Sequence, residues 1–412
     1  MFELSLALKN LRRNRRRTLL TAAVLAFGVL LYAFSNSLYA GFEADSLKVL
    51  VQHETGEVSL TARGYWEERE ELPLAPVIPN AAEVAVRARQ VPGVEGAVPR
   101  VVFSALVNNG LDELPVKAIG TDPRHDSSVL ALHKGIAAGR YLKPGREEAV
   151  LGRGVAKLMD LRIGDTFTLI LRNRGTSFEA VDLTVVGLLN TPDAVVNEGC
   201  VYLPLDVAQR LTGLGTAATE IVVAGQGGYT HAPVLRDRLA SALSREEPSL
   251  DFHTWEASAA VVLETVKSKQ SAMGLIIGFI MILAGLGVTN NVLLAGFERT
   301  REIGTLRALG LTEAQVTRVF MFEGLGVGFL GGLLGAGAGA LAVSYLVQVG
   351  LDFSRVLGGD TSLGLPALTV RGVWNLPTIL AAWVAVTVFC YLISYLPARR
   401  AGRLDPATAL RQ

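Results

Sequence analysis

The most prominent feature of the sequence is a set of four long stretches that consist almost entirely of apolar and small residues. They occupy residues 18–42, 271–297, 321–350 and 373–397. A bilayer core of about 30 Å requires roughly 20 apolar residues in helical form, and each stretch is long enough. One such stretch could be a buried core helix. Four in one chain predict an α-helical membrane protein with four transmembrane helices.

The first stretch has to be distinguished from a cleaved signal peptide, because arginines precede it. Signal peptides have an apolar core of about 7–15 residues and small residues before the cleavage point. This stretch is longer, and Leu38 lies at the third position of the candidate cleavage site after Ala40, counting back. We therefore predict that the stretch is retained as a transmembrane helix.

Arginine-rich segments flank the stretches on one side of the predicted membrane. They are residues 12–17, the loop 298–320 and the tail 398–412. Because positively charged loops stay on the cytoplasmic side, both termini are predicted to be cytoplasmic. Residues 43–270 and the short loop 351–372 then lie outside the cytoplasm. Residues 1–17, apolar at first and basic later, predict an interfacial amphipathic helix.

Glycines recur at intervals of four within the predicted spans. The pairs are Gly274 and Gly278, Gly328 and Gly332, Gly331 and Gly335, and Gly335 and Gly339. Small residues at such intervals let two helix backbones approach closely. The spacing alone does not distinguish packing within the chain from packing between subunits.

The segment 43–270 mixes strand and helix patterns. Strand-like composition occurs at 56–62, 96–109, 219–225 and 249–255, and helical periodicity at 81–91 and 232–243. These two groups predict one α/β layer whose halves are far apart in sequence. Residues of about 122–215 lie between them and are mostly strand-like. We predict a large α/β extracytoplasmic domain with a β-rich inserted subdomain.

The sequence contains no motif for catalysis, metal binding or nucleotide binding. G-x-S-x-G and H-E-x-x-H are absent, and the five histidines are scattered. A P-loop is excluded because no Gly-Lys dipeptide occurs. We therefore expect no enzyme activity, no metal and no cofactor, so that ATP-Mg would be bound by a partner subunit or an ion gradient would supply the energy. The net charge of +1 gives no reason to expect nucleic-acid binding.

The loop 298–320 has the pattern of two short helical segments. Gly310 is expected to end the first, and Thr312 followed by Gln315 predicts a capping box at the start of the next. Glu298 and Arg301 are three apart and could pair on one helical face. Charged residues held at the membrane edge favour docking onto a cytoplasmic protein, although a solvated connector remains the alternative. The candidate docking residues are Glu298, Arg299, Arg301, Glu302, Ile303, Gly304, Leu306, Arg307, Leu309 and Gly310.

Three segments resemble a known family. They are ERTREIGTLRALG at 298–310, LPARRAGRLDPATALR at 396–411 and AVLGRGVAKLMDLRIGDTFTL at 149–169. Together with the order of one span, a large outside domain and three spans, they are similar to the MacB/FtsX/LolC-LolE superfamily of ABC transporter permeases. The resemblance implies a permease dimer, homomeric or heteromeric, that binds two copies of a cytoplasmic ATPase. It also implies mechanotransmission, in which closing of the ATPases moves the helices and the outer domains, with 298–310 as the coupling helix.

The layout is most similar to lipoprotein-releasing permeases of the LolC/LolE type in the bacterial inner membrane. This implies a lipoprotein or other amphiphilic cargo and, as a further partner, a periplasmic carrier. The candidate cargo contacts are Phe34, Leu38, Tyr39, Phe42, Met273 and Ile277. Each of these side chains could instead face lipid or pack between helices. An FtsX-like signal transducer and a MacB-type efflux permease remain as alternatives.

Overall fold

A computed structural model describes residues 2–260, 300–308, 310–352 and 369–403, with single positions between 274 and 298. The chain forms two compact units. The helical unit comprises Met1–Glu43, Val266–Leu351 and Thr369–Gln412. The sheet unit comprises Ala44–Thr265 and Asp352–Leu368.

The chain begins with two helices. α1 spans Phe2–Arg13 and α2 spans Arg15–Leu50. Hydrogen bonds from Asn14 N to Asn10 O and from Thr18 N to Asn14 O continue the helical pattern across the junction. A π-helical turn, Val51–Thr55, follows α2. Gly56 then takes a φ of 61°, in the region that favours glycine, and turns the chain into the first strand.

The sheet unit contains strands β1–β10 and helices α3–α8 among its described residues. The strands are β1 Val58–Ala62, β2 Val94–Asn108, β3 Glu113–Thr121, β4 Ile136–Gly139, β5 Glu148–Gly152, β6 Thr166–Arg172, β7 Phe178–Leu189, β8 Cys200–Pro204, β9 Glu220–Gly225 and β10 Leu250–Thr254. The helices are α3 Ala81–Arg89, α4 Arg153–Leu158, α5 Ala194–Gly199, α6 Leu205–Thr212, α7 Ala232–Leu243 and α8 Trp255–Ser258. The strands and helices expected at 56–62, 81–91, 96–109, 219–225, 232–243 and 249–255 are confirmed, with shifts of up to two residues at their ends.

All ten of these strands join one sheet. Its order is β10-β1-β9-β2-β3-β8-β5-β7-β4, and β6 pairs with both β2 and β7. The segment 122–215 contributes β4–β8, and its strands are bonded to the α/β layer through antiparallel β2–β6 pairing and parallel β3–β8 pairing. The limits proposed for an inserted subdomain remain a prediction.

Apolar side chains pack on both faces of the sheet, because successive residues of a strand point to opposite sides. On β2, Val101 and Phe103 belong to a large core that also contains residues of α3 and α7. Val102, between them, belongs to a second core with Ile119 of β3 and Tyr202 of β8. The second face also contains a buried arginine, Arg100.

From residue 300 onward, the described part of the chain forms four further helices. They are α9 Thr300–Ala308, α10 Glu313–Gln348, α11 Leu376–Ile393 and α12 Tyr395–Gly402, with short strands β11 Leu351–Asp352 and β12 Thr369–Val370 paired between α10 and α11. Among the residues that the structure describes, three segments are long and apolar enough to cross a membrane: Arg15–Thr55, Glu313–Gln348 and Leu376–Arg400. They overlap the predicted spans 18–42, 321–350 and 373–397. The span predicted at 271–297 lies mostly outside the described residues, so the count of four remains a prediction.

The glycines of α10 form two contact faces within the chain. A Cβ at Gly335 would lie 2.6 Å from the carbonyl oxygen of Ala26 in α2, and Gly331 and Gly339 contact the same helix. A Cβ at Gly328 would lie 2.7 Å from the Cβ of Cys390 in α11. These glycines therefore let α10 pack closely against α2 on one side and α11 on the other. The glycine spacing did not distinguish packing within the chain from packing between subunits. At these positions the glycines contact helices of the same chain.

Candidate coupling site

The loop between α9 and α10 has the local structure that its sequence predicts. Gly310 has a φ of 102° and ends α9 with a hydrogen bond from its N–H to Arg307 O. Thr312 precedes α10, and its hydroxyl oxygen accepts a hydrogen bond of 3.3 Å from Gln315 N. The side chain of Gln315 accepts one of 2.9 Å from Thr312 N. Both halves of the predicted capping box are present, so the helix stop and the helix start are confirmed.

The acidic residues of this site are bound by arginines near the start of the chain. The Nη2 group of Arg13 donates to both carboxylate oxygens of Glu302, at 2.8 and 2.9 Å. Arg17 Nη1 donates to Glu298 at 3.1 Å. The pair of Glu298 with Arg301 that the spacing allowed is not formed; Glu298 pairs with Arg17 instead. The hydrogen bond to Glu302 raises the pKa of Arg13 above its usual value, although the guanidinium would be charged at neutral pH in any case.

In the sequence, Arg13 and Arg17 indicate only the side of the membrane on which the first span begins. The signal that could have identified their partners is a matched spacing. Arg13 and Arg17 are four residues apart, and so are Glu298 and Glu302. Residues four apart share one face of a helix. Two such faces that run in opposite directions pair the first arginine with the second glutamate and the second arginine with the first, as observed.

α1 is also fixed to α10 by polar and apolar contacts. Asn10 Nδ2 donates to the carboxylate of Glu323, which is buried in α10. The side chain of Leu11 lies over Gly326, where an added Cβ would come within 2.4 Å of it. Because α1 contacts α10 and also pairs with Glu302 through Arg13, it connects the loop to the body of a membrane-spanning helix.

A second contact fixes the start of α10 from the other end of the chain. Arg403, just after α12, donates through Nε to the carboxylate of Glu313 at 2.9 Å. Gly402 lies against Thr317 and Glu313 of the same helix. The helices that precede the first span and follow the last one therefore both pack on the segment that follows the candidate coupling helix.

The outward surface of the site is defined by the loop residues that these pairs leave exposed. Arg301 is exposed and has no ion pair with any described residue. Gly304 is buried, and Arg307 is half-buried. Arg299 and Leu309 lie outside the described residues, as do the side chains of Ile303 and Leu306. Arg301 is thus the predicted docking residue that the structure leaves available to a partner.

The predicted cargo contacts lie on α2 as far as they are described. Phe34, Leu38 and Tyr39 are half-buried, and Phe42 is exposed. Met273 and Ile277 lie outside the described residues. The exposed apolar side chains of α2 include Leu20, Val24, Phe27 and Leu31, which are spaced three or four apart, and Phe42, which lies eleven positions later. The sequence does not distinguish this exposed face, because α2 is apolar on every side of its membrane segment.

The described residues show no metal centre and no thiol pair. No group of three or more His, Cys, Asp or Glu side chains is placed to hold a metal ion in this part of the chain. Cys200 and Cys390 are both buried and unpaired. Burial raises the pKa of the Cys200 thiol to about 11.

Comparison with known proteins gives matches along most of the chain. Residues 18–237 match the family described as MacB-like periplasmic core domain, and residues 274–406 match the FtsX-like permease C-terminal family. The lipoprotein-releasing system transmembrane protein LolC of Xylella fastidiosa is 24% identical over 99% of this chain and 98% of its own length. LolE of Haemophilus influenzae is 25% identical over 81% of this chain and 83% of its own length. The macrolide export ATP-binding/permease protein MacB of Psychrobacter arcticus is 30% identical over 52% of this chain and 30% of its own length.

Proposed function

Because the chain belongs to the MacB/FtsX family of ABC-transporter permeases, we propose that it extracts lipoproteins or other amphiphiles from the outer leaflet of the bacterial inner membrane. ATP is hydrolysed by a separate cytoplasmic subunit, of which two copies bind a dimer of permeases. In this proposal the loop 298–320 faces the cytoplasm, and both termini lie on the same side. The sheet unit lies in the periplasm, where a carrier could receive the cargo.

The observation that supports this proposal most directly is the arrangement of charges around α9. Glu302 is held by Arg13 of α1 and Glu298 by Arg17 at the start of α2, so that α9 and the residues just before it are attached to both helices. A push on the exposed side of α9, where Arg301 lies, would be transmitted to α1 and, through the contact of Asn10 with Glu323, to α10. A coupling helix requires this combination of an available outer face and an attachment to the membrane helices.

The choice of cargo is supported by the extent of similarity to lipoprotein-releasing proteins. The relative named LolC in Xylella fastidiosa aligns over nearly the full length of both chains. The relative named MacB aligns over about half of this chain, and its name includes an ATP-binding part. Export of a small amphiphile is therefore the second candidate. The absence of a P-loop from this sequence agrees with either cargo, provided that a partner binds ATP-Mg.

The proposal is tested by purifying the tagged chain from its native membrane in a mild detergent. Mass spectrometry of the purified material should identify an ATPase with a P-loop and a permease, either a second copy or a related chain. The purified complex should hydrolyse ATP. Recovery of the chain alone from several detergents, without ATPase activity, would exclude the proposed assembly.

A charge reversal tests the docking role of α9. Arg301→Glu should separate the ATPase from the complex or abolish its stimulation by cargo, because the exposed arginine would no longer attract an acidic partner surface. Arg162→Glu is the matched control, since Arg162 is exposed in the sheet unit, which in this proposal lies outside the cytoplasm. Equal ATPase binding by both variants would contradict the docking role.

A further inference from the structure

One face of the sheet combines charged side chains from three neighbouring strands. Strand pairing places Arg100 of β2 directly opposite Glu220 of β9. Lys117 of β3 lies on the same face, because Ile119, two residues later, shares a core with Val102 of β2. Only 1% of the Arg100 side chain is exposed. The apolar sheet therefore contains a buried cluster of charges at this position.

The cluster binds the turn that ends the first long helix. Arg100 Nη1 donates to the main-chain oxygen of Glu54 at 2.6 Å. Lys117 Nζ donates to the carboxylate of the same residue at 2.8 Å. Glu54 belongs to the π-helical turn Val51–Thr55, which continues directly from α2. Two adjacent strands thus hold one residue at the end of a helix that begins at Arg15.

Both members of the Glu54–Lys117 pair are ionised at neutral pH. Burial raises the pKa of Glu54, but the nearby Lys117 and Arg100 outweigh burial and hold it below the usual value. Burial lowers the pKa of Lys117, but Glu54 outweighs burial and keeps it above the usual value. The contact is therefore a true ion pair between partly buried groups.

Charge pairing is not needed merely to attach a helix to a sheet. Burying ions carries a large desolvation cost, and apolar side chains of similar volume often give equal or greater stability. Beside the pair the strands and the turn also leave a cavity of about 370 Å³, which Tyr65, Trp66 and Ser59 help to line. On the side of the cavity the turn is thus held by directional contacts at one residue, with open space next to it. Leu47 and Val51, at the end of α2 and the start of the turn, pack into the large apolar core.

We propose that Arg100 and Lys117 are positioning residues that lock the end of α2 to the sheet, so that a displacement of α2 moves the sheet with it. The inference rests on the proposed function, in which ATP-driven motion of the spans reaches the extracytoplasmic domain. The residues transmit motion and do not contact cargo. Removing the lock should leave ATP hydrolysis intact and stop the motion at the turn.

The test is hydrogen exchange of the whole complex, compared without nucleotide and with ATP trapped by vanadate. In the wild-type protein, nucleotide should change exchange in residues 44–55 and in the strands 94–121. Glu54→Lys and Lys117→Glu should each keep the change in 44–55 and lose it in 94–121. The double variant Glu54→Lys/Lys117→Glu should restore the nucleotide-dependent change in 94–121. Glu54→Gln, which removes charge with little change of shape, should reduce it, and circular dichroism would verify that each variant is folded.

The control is Glu147→Lys, because Glu147 forms an exposed ion pair with Arg210 at 2.6 Å in the same unit. This variant should show the same nucleotide-dependent change in exchange in 94–121 as the wild-type protein. A full change in 94–121 in either single variant, or failure of the double variant to restore it, would overturn the lock. Absence of any nucleotide-dependent change in the wild-type protein, including residues 44–55, would instead contradict the proposed function.

Discussion

Arg13 and Glu302 are separated by 289 positions in the chain, and the guanidinium of Arg13 donates hydrogen bonds to both oxygens of the Glu302 carboxylate. Both side chains are about half exposed, at 54% and 53%. An exposed ion pair of this kind adds only about 0.2–1 kcal/mol to stability. Its importance therefore lies in geometry, since it fixes the direction in which the candidate coupling helix is attached to α1.

Reversing the charge of Arg13 should uncouple the complex without unfolding it. Arg13→Glu places two carboxylates opposite each other and releases α9 from α1. We expect the thermal midpoint to change little and the stimulation of ATP hydrolysis by cargo to be lost. The measurement is the ATPase rate of the purified complex with and without cargo.

Two further variants make this prediction specific. Arg12→Glu is the control, because Arg12 is exposed next to Arg13 and its side chain contacts no described acidic residue. It should behave like the wild-type protein. The double variant Arg13→Glu/Glu302→Arg should recover stimulation. If Arg12→Glu and Arg13→Glu reduce the stimulation of ATP hydrolysis equally, the effect comes from the overall positive charge near the membrane and not from the Arg13–Glu302 pair.

The close approach of α10 to α2 should make Gly335 intolerant of a side chain. A Cβ there would lie 2.6 Å from Ala26 O and 2.7 Å from the Cβ of Val29. Overpacking of this kind costs about 1–3 kcal/mol. Gly335→Ala should therefore lower the thermal midpoint of the purified chain in detergent.

Gly337 provides the matched control on the same helix. It is two residues away, and a Cβ there would have no neighbour within 4 Å. Gly337→Ala should leave the midpoint unchanged or raise it slightly, since alanine favours helix more than glycine does. Equal losses at both positions would indicate that α10 does not pack against α2 as described.

The capping box at Thr312 should determine how firmly α10 begins. Thr312→Ala removes the acceptor of the Gln315 N–H and should cost about 1 kcal/mol. Hydrogen exchange should become faster in the first turn of α10 and stay unchanged beyond it. Thr305→Ala is the control, because the Thr305 hydroxyl only donates to Arg301 O within α9 and caps no free N–H. Faster exchange throughout α10 in the Thr312 variant would contradict a local capping role.

Acid stability of the sheet unit should depend on Arg140. Burial raises the pKa of Glu148, but hydrogen bonds from Arg140 and from Lys143 N outweigh it and hold the pKa below its usual value near 4.5. A carboxyl group whose pKa is lowered by folding stabilises the fold above its unfolded pKa and loses this contribution as pH falls through the folded pKa. The wild-type protein should therefore lose stability below about pH 4.5.

Arg140→Met removes the principal group that lowers the pKa of Glu148 and leaves burial, which raises it. The variant should be less stable at pH 7 by about 1–3 kcal/mol, the usual loss for a hydrogen bond to a charged group. The stability of this variant should also fall less between pH 7 and pH 4 than the stability of the wild-type protein does. Arg210→Met, which breaks the exposed pair with Glu147, should leave the pH profile unchanged. Parallel profiles for the wild-type protein and Arg140→Met would show that the pKa of Glu148 does not depend on Arg140. Thermal unfolding across this pH range is the measurement.

The features that local sequence specifies were predicted well. Three apolar stretches lie on helices long enough to span a membrane, Gly310 ends a helix, and Thr312 with Gln315 caps the next. Each depends on residues within a few positions of one another. The parallel pairing of β3 with β8 has no such local signal, because the two strands are far apart in sequence. An alternation of period two predicts that a segment is a strand, but it does not predict which strand it pairs with.

The candidate site was predicted only in part, for the same reason. Helical spacing placed Glu298 and Arg301 on one face and allowed them to pair, but the partner of Glu298 in the structure is Arg17, which comes from a distant segment. Gly331, Gly335 and Gly339 indicated a close helix contact, but the partner helix depends on the fold. The buried Arg100 has no pattern of its own, since one charge in an apolar strand resembles a surface position until its neighbours are known.

The most direct test of the account is ATP-driven release of a triacylated lipoprotein from vesicles that contain the purified complex. Release into the soluble fraction, in the presence of a soluble acceptor with an apolar cavity, would be measured with ATP and with ADP. We predict release with ATP only, its loss in Arg301→Glu, its retention in Arg162→Glu, and no release of a phospholipid of similar acyl length. Lipoprotein that stays in the vesicles while the complex hydrolyses ATP would contradict the proposed cargo.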